Sequence, residues 1–388
     1  MTQYSTLRRL YEYDMQDLFV AFYRVAKTQF GEMNLRGVRT GWWKVGRADL
    51  EFASIRTGPR KHDSENGITG AVEILPLQCV FQFGENIPLV CAIGVHPSCN
   101  KAVENFLDAI GAQLKNASIY KGRAINVERE FLDLSAIDDE IVVYGTSIKR
   151  ELEAHIWSLI RRGDVCRSAG VSQQRKVLLA GPFGCGKTLT AFVTAKIATD
   201  HGYTFIYLPP TYKSMGGEIP NAFQLARRYE PAVVFIEDME YEQRHEEESA
   251  FRNILNAIDG LPSKSSRILT IMTANRPDKI AGGMQRPGRI DHVVDFTNYA
   301  HNDVVRLLIS TIPELYRSAD IDWDRAAQAC KDFTPAFVRE VSASAKLLAI
   351  SEARDGTQPK VTTEMLVSAA ESLLIQHNRC REALGFTS

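Results

Sequence analysis

The 388-residue sequence has no pair of cysteines at C-x-x-C spacing, and its seven cysteines (79, 91, 99, 166, 185, 330 and 380) are scattered. That usage excludes a zinc ribbon and a disulfide framework, and suits a reducing compartment. Long apolar runs are also missing, and none approaches the ~20 residues needed to cross a bilayer. Arg8, Arg9, Glu12 and Asp14 interrupt any apolar core near the start, so no secretory signal is read there and a cytoplasmic protein is expected. Neither sign of charge dominates. A formal net charge of −1 leaves no global electrostatic case for nucleic acid or for an anionic membrane. The local basic set Arg56, Arg60, Lys61 and His62 is most simply a solvated loop between strands. There is no internal repeat and no low-complexity tract.

The bulk numbers are those of an ordinary globular chain, 45% hydrophobic and 24% charged, long enough for two or three domains. Against that background one stretch stands out. Gly181-Pro182-Phe183-Gly184-Cys185-Gly186-Lys187-Thr188 fits the pattern G-x-x-x-x-G-K-[ST]. Glycines let the backbone wrap an anion and turn successive N–H groups inward. The lysine reaches β- and γ-phosphates, and the threonine hydroxyl can ligate Mg²⁺. Arg175–Ala180 reads as a short buried strand leading in. Thr188–Ala198, with Leu189 in its first turn, reads as the helix whose N-terminus favours phosphate. The chain is therefore expected to bind a nucleoside triphosphate.

Upstream, residues 1–130 carry no nucleotide motif. Ser5–Phe30 shows helix-like apolar spacing, β-prone runs follow at Ala48–Ile55, Ala71–Phe83 and Pro88–Val95, and Ala102–Leu114 looks like an amphipathic helix. This predicts a separate α+β domain, with Thr57–Gly67 as an exposed loop and Trp42-Trp43 in its core. Residues 131–297 alternate strands (Lys176–Ala180, Thr204–Leu208, Ala232–Ile236, Arg267–Thr273) with helices, the mark of a parallel sheet with crossovers. Residues 298–388 contain only helical runs, at 302–312, 324–332, 335–353 and 363–376, the third opened by Thr334 as N-cap and Pro335 at the first helical position. The predicted fold class is α/β: a P-loop parallel-sheet module with a C-terminal helical lid, preceded by the α+β domain.

Val233–Ile236 is an apolar run ending in Glu237-Asp238, 50 positions beyond Lys187. Parallel strands present their C-terminal ends to the ligand crevice, so both acids should face the phosphate loop. In such sites one acid supports Mg²⁺ and the other orients and deprotonates the attacking water. Asn275 ends a further predicted strand, where its amide could hold that water or the γ-phosphate. Glu240 and Glu246–Glu248 read as a solvated helix start.

Taken in order, these segments together with Thr273-Ala274-Asn275-Arg276-Pro277-Asp278 and Arg286-Pro287-Gly288-Arg289 resemble the AAA+ ATPase superfamily, in the branch with T-N-R-P-D and R-P-G-R signatures, over about residues 135–380. The resemblance implies that Gly181–Leu189 is Walker A, that Phe235–Asp238 closes Walker B, and that Asn275 is the polar sensor. It implies that Arg286 and Arg289 are arginine fingers reaching a neighbour's ATP, hence a homo-oligomeric ring, usually a hexamer. Guanidinium groups suit that role because they stay charged while the γ-phosphoryl charge redistributes. The resemblance further implies ATP with Mg²⁺ held by Thr188 and Glu237, and an ATP-hydrolysing motor remodelling a protein client recruited through residues 1–130. Two alternatives remain: a nucleotide-gated scaffold with slow hydrolysis, and an ATPase acting on nucleic acid.

The chain departs from the family in four places. Glu237-Asp238 reverses the usual Asp-Glu order, and Phe183-Gly184-Cys185 replaces Pro-Gly-Thr. Lys213-Ser214-Met215-Gly216 lacks the pore aromatic, with Tyr212 two residues before Ser214. Ala336 stands where other branches place a sensor arginine, with Arg339 one turn on. The adenine bed is expected near Ile141–Gly145.

Overall fold

The computed structural model describes residues 4–40, 45–60, 62–137, 142–209, 218–238, 266–275, 290–297, 299–354 and 357–383. Trp42-Trp43 lies outside them.

The first unit starts with a strand. Side chains of β1 (Ser5–Leu10) alternate between half-buried and exposed, and β1 pairs antiparallel with β8 (Leu89–Val95). The helix-like spacing read over Ser5–Phe30 therefore divides at Asp14, whose carboxylate caps α1 (Met15–Phe30) by accepting from the Gln16 N–H at 2.9 Å. Period-2 burial before the cap and helical burial after it account for the split. The main sheet runs β1-β8-β7-β6-β2-β3, with β2 (Leu35–Thr40), β3 (Val45–Ala48), β6 (Val72–Ile74) and β7 (Cys79–Phe83). A second ladder, β4 (Phe52–Arg56) with β5 (Ser64–Ile68), takes up the end of the segment expected as a loop over Thr57–Gly67. Gly67 lets it approach α1: a Cβ there would lie 2.5 Å from Ile55 and 2.9 Å from Phe19. α1 and α2 (Asn100–Ala117) share an aromatic core in which Phe22 meets Phe81 at 5.6 Å and Phe106 at 5.3 Å, edge to face.

The second unit is a six-stranded sheet in the order β14-β10-β13-β12-β11-β9, parallel at every pairing. Its members are β9 (Ala124–Asn126), β10 (Lys176–Ala180), β11 (Thr204–Leu208), β12 (Ala232–Ile236), β13 (Ile268–Ala274) and β14 (His292–Asp295). β10, β12 and β13 are buried throughout, as expected when both faces are covered. One face packs against α6 (Lys187–Asp200) and against a segment made of α3 (Thr146–Leu152), a π-helical turn (Glu153–Trp157) and α4 (Ser158–Arg161); the short α5 (Gly163–Ser168) follows. The other face meets α7 (Glu218–Arg228) and side chains from the first unit, among them Val20, Ile55 and Tyr120. Tyr229 is buried within that contact: its ring lies 6.1 Å from Tyr13 and 6.0 Å from Tyr120. β9 precedes residue 130, yet it pairs with β11 in the parallel sheet.

Four further helices follow: α8 (His301–Thr311), α9 (Trp323–Ala329), α10 (Pro335–Glu352) and α11 (Thr363–Ala383), closing on Leu308, Val341, Ala345 and Leu366. Thr334 occupies the N-cap of α10, but its side chain caps nothing, and its buried Oγ1 has no partner among the described residues. The reason lies in the first turn. Pro335 has no N–H, and the Ala336 N–H donates at 3.0 Å to the carbonyl of Gly184 in the phosphate loop.

Candidate functional site

β10 ends at Ala180 and the chain turns into the glycine loop, tied to β13 by the Gly181 N–H donating to the Ala274 carbonyl at 3.1 Å. Gly184 (φ +77°) and Gly186 (φ +101°) adopt left-handed conformations that L side chains resist. Gly184 also needs the room, because a Cβ there would stand 2.7 Å from Cβ of Ala336. Gly186 is the N-cap of α6, and no side chain caps it among the described residues, so the first N–H groups of this helix face the loop's concavity.

Lys187 opens α6 and is buried, 6% exposed. Its ammonium donates to the carbonyls of Gly181 (2.6 Å) and Pro182 (3.0 Å) and to Oδ1 of Asn275 (2.7 Å). The Thr188 hydroxyl donates to Oε1 of Glu237, and the Tyr207 hydroxyl donates to Oε2 of the same carboxylate. Glu237, at 7% exposure, thus has both oxygens engaged. Asp238 points elsewhere. It has φ +45°, its N–H donates to Oγ1 of Thr273 at 2.8 Å, and its Oδ1 accepts from Nδ2 of Asn275 at 3.1 Å. Asn275 therefore bridges Lys187 and Asp238, its two amide ends turned to a cation and an anion. The amide assignment fits both partners.

The cavity here has a volume of about 730 Å³, and its walls include Tyr144, Leu189, Tyr299, Pro335 and Arg339. Its far wall is the lid. Asp303 Oδ1 accepts from the N–H (3.1 Å) and hydroxyl (2.7 Å) of Thr146, while Arg306 reaches Asp303 Oδ1 at 3.0 Å and the Tyr144 carbonyl at 3.2 Å. Those bonds hold segment 144–146 against α8. The Tyr299 hydroxyl donates to the Cys185 carbonyl at 3.0 Å. Burial pushes the Tyr299, Tyr207 and Cys185 side chains above their ordinary pKa ranges, with the Glu237 carboxylate adding to the effect at Tyr207. All three stay protonated near neutrality, and Tyr207 stays a donor to Glu237.

The structure brings Gly181, Pro182, Gly184, Cys185, Gly186, Lys187, Thr188, Leu189, Glu237, Asp238 and Asn275 to one place. Phe183 also borders the cavity but is 73% exposed. Val142, Val143 and Tyr144 of the expected adenine bed line the same cavity, as does Arg339. Ile141, Tyr212–Gly216, Glu240, Glu246–Glu248, Arg286 and Arg289 lie outside the described residues. Sequence reading missed Tyr207, Thr273 and Tyr299. Tyr207 and Thr273 sit near the C-terminal ends of β11 and β13, and that position in a parallel sheet is the one signal that marked them.

Residues 177–298 match the family described as "ATPase family associated with various cellular activities (AAA)". The chain is 30% identical over 217 residues to ATPase family gene 2 protein of Schizosaccharomyces pombe, a match covering 53% of this chain and 26% of that protein. It is 28% identical over 240 residues to 26S proteasome subunit RPT4 of Saccharomyces cerevisiae (57% and 54%). It is 26% identical over 233 residues to a 26S proteasome regulatory subunit 6B homolog of Aspergillus niger (56% and 54%). The chain thus spans between about a quarter and just over half the length of these relatives. Residues 177–298, with the glycine loop and the core of the parallel sheet, thus form an AAA ATPase module within this chain.

Proposed function

We propose that this chain hydrolyses ATP as one subunit of a homo-oligomeric ring, a hexamer by family resemblance, and spends the turnover on remodelling a protein client held by residues 1–130. Residues 131–297 are the nucleotide-binding part of that reading and 298–388 its lid. The observation that carries it is the convergence at the loop: Lys187, Asn275 and Asp238 form one hydrogen-bonded set, and Thr188 with Glu237, their neighbours in sequence, forms a second beside it. The relatives support the protein client, since two of them are named as 26S proteasome subunits.

The roles follow from the contacts. Loop N–H groups and the Lys187 ammonium take the β- and γ-phosphate oxygens. The residues fit Mg²⁺, because a hydroxyl and a carboxylate, hard oxygen donors, already touch at the start of α6 in Thr188 and Glu237. When bound, Mg²⁺ offsets the charge on the phosphate oxygens. Tyr207 orients Glu237 through its second oxygen. Asp238, turned away from Thr188 and held by Asn275, is the acid placed to orient water and take its proton. Arg286 and Arg289 complete a neighbouring subunit's site, and Tyr144 with Val142 and Val143 packs the base. The test is ATP turnover by the assembled full chain. Lys187→Ala and Arg289→Ala should each abolish it, and full activity in Arg289→Ala refutes the ring-dependent part.

One observation favours slow turnover and a nucleotide-gated scaffold. The acid left for water is Asp238, one methylene shorter than the glutamate usual in the family. If that limits the rate, exchanging the pair (Glu237→Asp with Asp238→Glu) raises turnover sharply. A loss instead assigns the native order to efficient hydrolysis.

A further inference from the structure

A second cluster of ligating side chains lies away from the nucleotide cavity. Glu151 and His155 are one helical turn apart at the junction of α3 and the π-helical turn, so they share a face. That face meets the edge strand β14 at His292. Glu151 Oε2 is 2.6 Å from Nε2 of His292 and 3.5 Å from Nε2 of His155, and the two imidazoles stack at 3.5 Å with planes 17° apart. Ligand atoms of all three residues lie within 4.8 Å of one another.

We propose that Glu151, His155 and His292 form a binding site for a divalent transition-metal ion of the zinc class, which cross-links the 146–161 helical segment to β14.

The donor set of two imidazoles and one carboxylate selects zinc, cobalt or nickel over Mg²⁺ and Ca²⁺, which take oxygen shells. Ligand bonds of about 2.0–2.2 Å put neighbouring donor atoms roughly 3.3 Å apart, so the 2.6 and 3.5 Å separations need adjustments of under an ångström, and one of the stacked rings must turn for both lone pairs to meet at the ion. Their side chains are 26–42% exposed, leaving solvent to fill the remaining coordination positions.

His155 Nδ1 is buried without a hydrogen-bond partner among the described residues. That missing acceptor means no outer partner supports His155 as a ligand. The site is accordingly about 10–100-fold weaker than one with a complete outer shell. His292 pairs with Val177 near the start of β10, so the site is about 13 Å along the strand direction from Gly181. It is separate from the Mg²⁺ position.

The test uses the full chain stripped with chelator, without nucleotide, and Zn²⁺ alone as the probe. Zn²⁺ should raise the melting temperature, and Co²⁺ should give visible absorption bands with nitrogen ligation. His292→Ala and His155→Ala should each weaken Zn²⁺ binding by more than about tenfold, while Glu237→Gln keeps the shift. The proposal is overturned by an unchanged melting temperature in the parent protein, or by a shift that survives both histidine substitutions or vanishes in Glu237→Gln. Should a histidine variant fail to fold, Glu151→Gln and the Co²⁺ spectrum of the parent decide: a spectrum without nitrogen-ligand bands overturns it.

Discussion

The Thr188 hydroxyl donates to Oε1 of Glu237, joining the first turn of α6 to the residue just past the end of β12. The two acids of the 237–238 pair thereby have different partners, although adjacent in sequence. Glu237→Gln should raise the Mg²⁺ concentration required for nucleotide binding. Asp238→Asn should leave ATP affinity nearly intact and lower single-turnover hydrolysis by about 10²-fold or more. Equal loss of binding in both variants would reject this division.

Tyr207 supplies the second donor to Glu237. Phenylalanine keeps the ring and its contact with Phe192 at 5.9 Å, so Tyr207→Phe isolates the hydroxyl. A hydrogen bond to a charged group contributes about 1.5–3 kcal/mol, so turnover at saturating ATP should fall about tenfold or more with the fold intact by circular dichroism.

The glycine loop touches the start of α10 at Gly184. Gly184→Ala combines a φ of +77° with a 2.7 Å approach to Ala336. The conformational part alone costs about 1–2 kcal/mol, and titration calorimetry should show ATP binding weakened at least tenfold. Adding Ala336→Gly removes the collision but not the backbone strain, so the double variant should recover part of the affinity. Full recovery would assign the whole effect to the lid contact.

Asp17 ties pH to the contact between the two units. It is 1% exposed, its Oδ1 accepts from the Ile119 N–H at 3.1 Å, and its buried Oδ2 has no partner among the described residues. Burial pushes its carboxyl up to about 6, opposed by Ser118 and the Ile119 N–H. Between its ordinary value near 3.8 and about 6 the folded protein holds more protons than the unfolded chain. Stability from this group is therefore full below about 3.8 and lost as pH rises through about 6, a change on the order of 3 kcal/mol. Asp17→Asn should flatten the melting profile across that window and raise the melting temperature at pH 7. An unchanged or steeper profile would show that Asp17 is solvated in solution.

The residues that gather at the glycine loop were legible in the sequence because the pattern is local. Glycine spacing, the lysine and threonine after it, and acids closing an apolar run each carry their meaning within a few residues. Thr204–Leu208 and Ala232–Ile236 could be bounded for the same reason. What stayed hidden depends on register between distant strands. Tyr207 matters because β11 pairs with β12 so that Tyr207 stands opposite Phe235, two residues before Glu237. The first unit misled at Ser5–Leu10, where apolar spacing alone did not distinguish the ends of a helix from a half-buried strand. The Glu151–His155–His292 cluster joins a helix to a strand 141 positions away, and no motif encodes it.

The pairing of β9 with β11 carries a practical consequence for dissecting the chain. A cut at residue 130, the natural place to separate the two units by sequence, removes the outermost strand of the parallel sheet. The N–H and C=O groups of Phe205 and Tyr207 that face β9 would then lie open along an apolar edge. Such an edge templates self-association. A fragment beginning after residue 130 should therefore aggregate more readily than one beginning at Ser118, which keeps the border strand.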